Sequence, residues 1–504
     1  MKKLLVAVIA VLIASPAFAS IQNVKVSGDI QTTYVNRQDF SLGALNSPID
    51  LTLGDSGSLG TPAGLKSQSL VAEQTRVRVD ADLSDNISAT VRLINERAWG
   101  TPTSVAGGDD VDLDLAYVTL REFLYSPLTL TVGRQEISFG NGFIIGGGPN
   151  NSTTGHFNGV AGDLTEIDSV DGVKAVLDYK PLTLTAFYYK EGQTVGSLRG
   201  LYSQDGANSD AYGLNANYQL GDAYNTVLEA YLFSRISGNA IAAQGPATGT
   251  VASGVSTSSA DKGDTLYVPG LRASTNPIKG LNVQGELAWQ LGNHSVSNET
   301  ANQTTGAITT NGIQGSEHRD AFAAQALASY SLPVLEKYKP SVNAGFTYVS
   351  GDKNSYENYG TDSVKSAKVY GAWDQFDKNQ NGGTIYNSIF PLSNLYIYTL
   401  GASAAPLQDV TTSFTWSDLF AASKLSDQNP LYLIQPNAET VVPVTSTKKD
   451  ARALGNEFDI NLGYAYTEDV SFGVSLGWFV PGSVFASENR STASQAIADV
   501  RVVF

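Results

Sequence analysis

The feature that most constrains this chain is a two-residue hydrophobic period that returns in segment after segment. In the stretch QTRVRVDADLSDNISATVRL, Val77, Val79, Ala81 and Leu83 alternate with Arg76, Arg78, Asp80 and Asp82. Side chains on a strand point to opposite faces in turn, so this stretch makes a strand with one apolar and one charged face. The same rhythm sets Leu281, Val283, Leu287, Trp289 and Leu291 against Asn282, Gln284, Glu286 and Gln290. It sets Tyr212, Leu214, Ala216, Tyr218 and Leu220 against Asn215, Asn217 and Gln219, and Phe458, Ile460, Leu462 and Tyr464 against Glu457, Asp459 and Asn461. About eighteen such segments run through the chain, starting near residues 23, 69, 87, 111, 128, 170, 182, 208, 225, 265, 281, 319, 340, 395, 410, 454, 469 and 494.

The connections between segments alternate in length. Short polar turns such as Ser84-Asp85-Asn86, Ser126-Pro127 and Glu468-Asp469 join one pair. Long Gly/Ser/Thr/Asn-rich stretches, roughly 40–68, 141–169, 238–264, 296–318, 352–394 and 426–453, join the next. A soluble sandwich has no reason to gather its long loops at one end. A transmembrane antiparallel β-barrel does, with short periplasmic turns and long extracellular loops. The closing segment AIADVRVVF ends on Phe504, with Val502, Val500 and Ala498 on the same face. Pairing it with the first strand would remove both sheet edges, which a bilayer requires because lipid cannot satisfy unpaired backbone groups. Tyr117, Tyr188, Tyr218, Trp289, Tyr348, Trp416 and Trp478 fall near strand ends and suit the two aromatic girdles of such a barrel.

The start of the chain fits the same location. Lys2 and Lys3 precede the apolar run Leu4–Ile13, and Ala17-Phe18-Ala19 is an A-x-A cleavage signal. Residues 1–19 are therefore expected to be a cleaved secretory signal, and 20–504 a single barrel domain in the outer membrane of a Gram-negative-type bacterium. The chain has no Cys, which excludes disulfides, Cys-ligated metals and c-type haem attachment. Its 49 Gly, 24 Tyr and 19 Phe against a single Met fit strands better than helices.

A barrel of about eighteen strands is wide enough for an aqueous channel, and its lining should be polar. The inward parity selects Arg76, Arg78, Asp80, Arg92, Glu96, Asp112, Asp114, Lys174, Asp178, Glu229, Arg235, Glu286, Glu457, Asp459, Asp499 and Arg501. The arginines concentrate in the first five strands, so one basic wall facing an acidic one is expected. Rings of charge set channel selectivity, although opposed charges in a lumen also brace one another. Catalysis finds no support. His156, His294 and His318 fall in or beside long loops, without the spacing of a zinc motif. GNGFIIGGG at 140–148 lacks the Lys of a phosphate loop. No enzyme activity and no cofactor are expected. DKNQNGG supplies Asp377, Asn379 and Asn381, the first half of a calcium loop, but Ser388 stands where the bidentate Glu would be. A plain turn-rich loop is the preferred reading there.

Two blocks carry a family resemblance. One is LAYVTLREFLYSPLTLTVGRQEISFGNGFIIG (115–146), with its Gly133-Arg134-Gln135-Glu136 core; the other is LGNEFDINLGYAYTEDVSFGVSLGWFVPG (454–482). Together they resemble the alginate-export family of outer-membrane porins. The resemblance implies a monomeric barrel that carries a polysaccharide through a charged constriction, with Arg134 and Glu136 at the GRQE match lining the pore. It also implies contact with outer-membrane lipid and lipopolysaccharide, the barrel-assembly machinery and periplasmic export partners, and none with nucleic acid. Strand counting from Leu130 and Val132 puts Arg134 toward lipid, so either a bulge at Gly133 turns it inward or the strand has left the hydrocarbon band. The net charge of −16 sits awkwardly with a polyuronate conduit, which should be basic inside. The resulting reading is a channel for a hydrophilic, anionic solute or polysaccharide. The alternative is a scaffold barrel holding a partner, such as an electron-transfer protein, in its lumen.

Overall fold

The computed structural model describes residues 23–40, 42, 67–100, 111–146, 162–193, 208–237, 264–301, 308–352, 369–376, 382–423, 431–435, 438–444, 451–485 and 490–504. The expected signal at 1–19, His156 and the DKNQN residues Asp377, Asn379 and Asn381 lie outside them. Eighteen antiparallel strands form the wall: β1 (Asn23–Gln38), β2 (Ser67–Ser84), β3 (Ile87–Ala98), β4 (Asp112–Leu120), β5 (Leu128–Gln135) and β6 (Val170–Asp178). They continue with β7 (Leu182–Gln193), β8 (Asn208–Gln219), β9 (Val227–Ser237), β10 (Asp264–Ile278), β11 (Leu281–Ala301) and β12 (Ile308–Ser331). The wall is completed by β13 (Ser341–Val349), β14 (Leu395–Leu407), β15 (Val410–Ala421), β16 (Ala453–Ala465), β17 (Val470–Pro481) and β18 (Ala493–Val503). Each strand pairs with the next, and β18 pairs with β1 from Asp29↔Val503 to Gln38↔Ser494, which closes the barrel. Phe504 finishes the seam: its N–H donates to the Gly28 carbonyl at 2.9 Å, and the Gly28 N–H donates back at 2.8 Å.

The apolar parity faces outward, where lipid replaces a protein core. Val77, Val79, Leu214, Leu232, Leu271, Leu287, Phe458 and Ile460 are all exposed on the outer wall. The start of β1, the end of β18 and the short turns lie at one rim, the periplasmic one. There the Thr226 N–H and hydroxyl hold the Asp222 carboxyl below the usual carboxylate range and tie the 220–226 turn.

Strand starts follow the periodicity closely except at β12, which begins at Ile308 instead of near 319. Its first turns pair with the far half of β11 beyond the membrane, where no lipid face imposes alternation. His294 and His318 therefore sit within strands, not in a loop at 296–318. One girdle residue also moves. The ladder between β3 and β4 shifts register at Arg92/Leu93, leaving Asp114 as the extra residue. This turns Leu115 and Tyr117 inward, so Tyr117 faces the lumen opposite Thr90.

Two long connections fold back inside. The described parts of the β5–β6 connection, 136–146 and 162–169, and of the β13–β14 connection, 369–376 and 382–394, pack within the wall. They form a buried apolar core with Phe187, Tyr189, Phe233, Leu266, Val268, Val349, Leu395 and Ile397. Phe139 stacks on Phe187 at 5.4 Å between centroids, and Tyr231 stacks on Phe233 at 4.5 Å.

Candidate functional site

The charged lumen begins on β1–β4. Arg76 sits opposite Asp29 in the ladder and grips both its oxygens, Nε to Oδ1 and Nη2 to Oδ2 at 3.0 Å each. Its Nη1 reaches Glu166 Oε2 of the β5–β6 loop at 3.0 Å. Arg78 forks onto Asp80 at 2.7 and 2.9 Å, and Asp80 also accepts from the Thr90 hydroxyl at 2.7 Å. Arg92 donates to Asp114 and, through Nη2, to Glu136 Oε1 at 2.5 Å. These are planar guanidinium–carboxylate contacts, which lysine could not reproduce. Glu96 is shut from solvent and accepts from Gln74, the Thr165 hydroxyl and the Glu166 N–H at 2.7–2.9 Å. Lys174 points inward beside them with no hydrogen bond or ion pair to a described residue.

The β5–β6 loop crosses this space. Five residues after Glu136, Asn141 donates to Gln325 on β12. In a ring of eighteen strands, β3 and β12 stand on opposite sides. The loop returns along the first wall, where Asp163 accepts from Arg37 at 2.5 Å and the Leu164 carbonyl accepts from Gln74 at 2.8 Å.

The β13–β14 loop is clamped at two places. Val369–Tyr370 pairs in parallel with His318–Arg319, and Tyr370 stacks on His294 at 3.8 Å. Asp374 accepts from Arg235 at 2.9 Å and forms an ion pair with Arg319 at 3.0 Å, while the Gln290 amide binds the Asp374 backbone on both sides. Beyond, the N–H groups of Thr384, Ile385 and Tyr386 converge on the Glu457 carboxylate at 2.6–3.0 Å. The Thr384 hydroxyl donates to Asp459 at 2.5 Å. Burial, with Glu457 next to it, pushes the Tyr386 phenol up, so it stays neutral. Ser388 bonds Asp163 at 3.1 Å and so joins the two loops.

The expected lining residues thus separate. Arg76, Arg78, Asp80, Arg92, Asp112 and Glu136 come together around the first wall, with Asp114 reaching Arg92 from its bulge. Glu96, Asp114, Glu457 and Asp459 are buried beneath loops or neighbours instead of presented to water. Arg134 takes the outer face: the β4–β5 ladder is unbroken, and Arg134 pairs with Ala116 and Asp171 on the side of Val118 and Val132. Gly133 supplies a φ of 122° in place of a bulge, and inward Gln135 is spent on the carbonyls of Thr131, Gly133 and Gly172. The division into a basic and an acidic wall gives way to local pairing on all sides, because Arg235, Arg272 and Arg319 stand inward on β9, β10 and β12. Parity alone could have found Arg272 and Arg319. Asp374 and Glu166 lie on loops without a period, and no sequence signal marked them.

A closed barrel with outward apolar strands, girdles and a polar, loop-narrowed lumen defines an outer-membrane porin. That is a channel for hydrophilic solutes in the outer membrane of a Gram-negative bacterium. The chain belongs to the alginate export family, whose model matches residues 51–499. Its strands are similar to those of solved porins: a double variant of OccD1 (OprD), at 10% identity, 96% coverage of both chains and a TM-score of 0.51. OpdK from Pseudomonas aeruginosa gives 9% identity, coverage of 96% of this chain and 99% of that one, and a TM-score of 0.51; OpdK with vanillate gives 10%, 96%, 99% and 0.50. At such identities the likeness is one of fold. No curated protein matches in sequence. Family and fold are those of channels, not of enzymes, and the outer wall meets membrane lipid and lipopolysaccharide.

Proposed function

We propose that this channel passes an anionic hydrophilic solute, in the extended case a polyuronate chain, along Arg76, Arg78 and Arg92. The observation that carries the reading is the state of two loop carboxylates at the narrowing. Glu136 and Glu166 keep side-chain exposures of 52% and 38%, yet each sits on a nearly buried guanidinium of the wall. A uronate carboxylate offers the same two oxygens and would exchange with them, guanidinium by guanidinium, without stripping the arginines of partners. OpdK, a barrel of the same shape, is described with vanillate, also a carboxylate. The barrel would act as a monomer after loss of residues 1–19, inserted by the assembly machinery and met by export partners at its periplasmic rim. The scaffold alternative has no observation in its favour, since a lumen crossed by two of the chain's own loops has less room for a folded guest.

Planar-bilayer recordings in a salt gradient test the proposal. Arg76→Gln with Arg92→Gln should move the reversal potential toward cation selectivity and weaken block by oligouronates. Glu136→Gln with Glu166→Gln should move both the other way. Unchanged reversal potentials in assembled, open channels would mean that these arginines only brace the wall.

A further inference from the structure

The GRQE motif leaves Arg134 on the wrong side of the wall for a pore residue, and its surroundings give it other work. Register places Arg134, Asp171, Lys190 and Asp210 side by side across β5–β8 on the outer face, as a level row of alternating charge. The next outward row toward the periplasm is Val132, Val173, Tyr188 and Tyr212; the one after is Leu130, Ala175, Ala186 and Leu214. From Leu220 to Asp210 the outward positions span ten residues, about 33 Å along a strand and about 25 Å along the membrane normal at a tilt of about 40°. That is the height of the apolar band, so the charged row stands at its extracellular edge, immediately above two girdle tyrosines.

The cations in this row are not used up. Among the described residues Arg134 makes one long contact with its five N–H donors, Nη1 to Asp171 Oδ2 at 3.2 Å, with Nε buried and Asp171 66% exposed. Lys190 has Asp210 at 2.9 Å, and Asp210 is also engaged by the Tyr188 hydroxyl at 3.0 Å. Two cations about 10 Å apart, two strands over, thus keep donors facing outward at the depth where the outer leaflet carries phosphates. We propose that this row is a binding site for the phosphate headgroup of an outer-leaflet glycolipid. Arg134 forks onto phosphate oxygens and Lys190 contributes a second charge. The row sums to no net charge, so it recognises the headgroup through placed donors and not through a long-range field. The inference does not depend on which solute the lumen passes.

The full chain in detergent, incubated with purified bis-phosphorylated lipid A and analysed by native mass spectrometry, provides the test. Wild type should retain one lipid A, should not retain chemically dephosphorylated lipid A, and should not lose lipid A to millimolar inorganic phosphate. Arg134→Gln with Lys190→Gln should lower retention about tenfold while heat-modifiability and conductance stay unchanged. Arg97→Gln, an outward cation on β3 opposite Glu73, should change nothing. Equal loss with Arg97→Gln, equal retention of the dephosphorylated lipid, or displacement by inorganic phosphate would each overturn the proposal. Should the double variant fail to assemble, Lys190→Gln alone decides, because it leaves the Arg134–Asp171 pair in place: unchanged retention overturns the site, a severalfold loss supports it.

Discussion

Strands β2 and β9 have the same outward faces but different inward ones. On β2 the inward positions are Gln74, Arg76, Arg78, Asp80 and Asp82; on β9 they are Glu229, Tyr231, Phe233 and Arg235. Around β2 the inward charges are met by partners on neighbouring strands and by two loop carboxylates, and part of the surface stays wet. Around β9 the aromatic rings are covered by Phe139 and Phe376 from the two inward loops. An inward charge in a barrel can be left to water, whereas an inward ring must find a cover. The two arcs of wall therefore work differently: β1–β6 border the passage and hold the β5–β6 loop through charged and polar contacts, whereas β7–β14 hold the inward loops against a buried apolar core, with β16 adding the Glu457 and Asp459 clamp.

The largest effect is expected where the anchor is ionic. Asp374→Ala removes a carboxylate shared by Arg235 and Arg319, and Arg319 has almost no access to water. Removing one shared carboxylate from so buried a network costs at most about 3–5 kcal/mol, because Arg319 keeps Asp264 at 2.7 Å and Arg235 keeps Glu191 at 3.7 Å. The loop should come loose, and single-channel conductance should rise severalfold; unchanged conductance would put the anchor elsewhere. Phe233→Ala should cost a similar or slightly smaller amount, about 3–5 kcal/mol. The half-exposed Arg78–Asp80 pair should by contrast cost about 0–1 kcal/mol when Arg78 becomes Ala. Thermal unfolding monitored by heat-modifiability ranks the two, and a reversed order would break the division between arcs.

On the outer wall both arcs should behave alike. Leu287→Arg on β11 and Val79→Arg on β2 place charge in lipid at about 2–4 kcal/mol and should block assembly, while inward Gln284→Arg should not. Equal tolerance at all three would refute the face assignment. Deleting Phe504 should have a smaller effect than either outer-wall charge. It removes two backbone hydrogen bonds at the seam, each worth about 0.5–1.5 kcal/mol, and should lower the assembled fraction in outer-membrane preparations without changing conductance.

What could be read from the sequence was what lipid enforces. The outward parity is written by the solvent outside the wall, so strand positions, face and closure follow from it. Inside, nothing enforces a period. Val268, Ile397 and Phe233 occupy the parity that was expected to be polar, because loops without any pattern cover them. Glu457 and Asp459 were legible as inward carboxylates, but their use in holding Thr384–Tyr386 depends on a segment more than 70 residues away in sequence. The bulge at Asp114, which moves Tyr117 from girdle to lumen, left the alternation of LDLAY intact and gave no warning.

The division between arcs can be tested directly because the chain has no cysteine. Single substitutions Gln31→Cys, Asp80→Cys and Ser88→Cys on the β1–β3 arc, and Leu266→Cys, Val268→Cys and Ile397→Cys on the other, can be treated with a membrane-impermeant cationic thiol reagent during bilayer recording. The account predicts rapid modification and a fall in current for the first three, with no reaction for the second three while the loops remain docked. Modification of Val268→Cys and Ile397→Cys at the rate seen for Asp80→Cys would contradict it, since it would mean that water and solute move along the arc assigned to the loops.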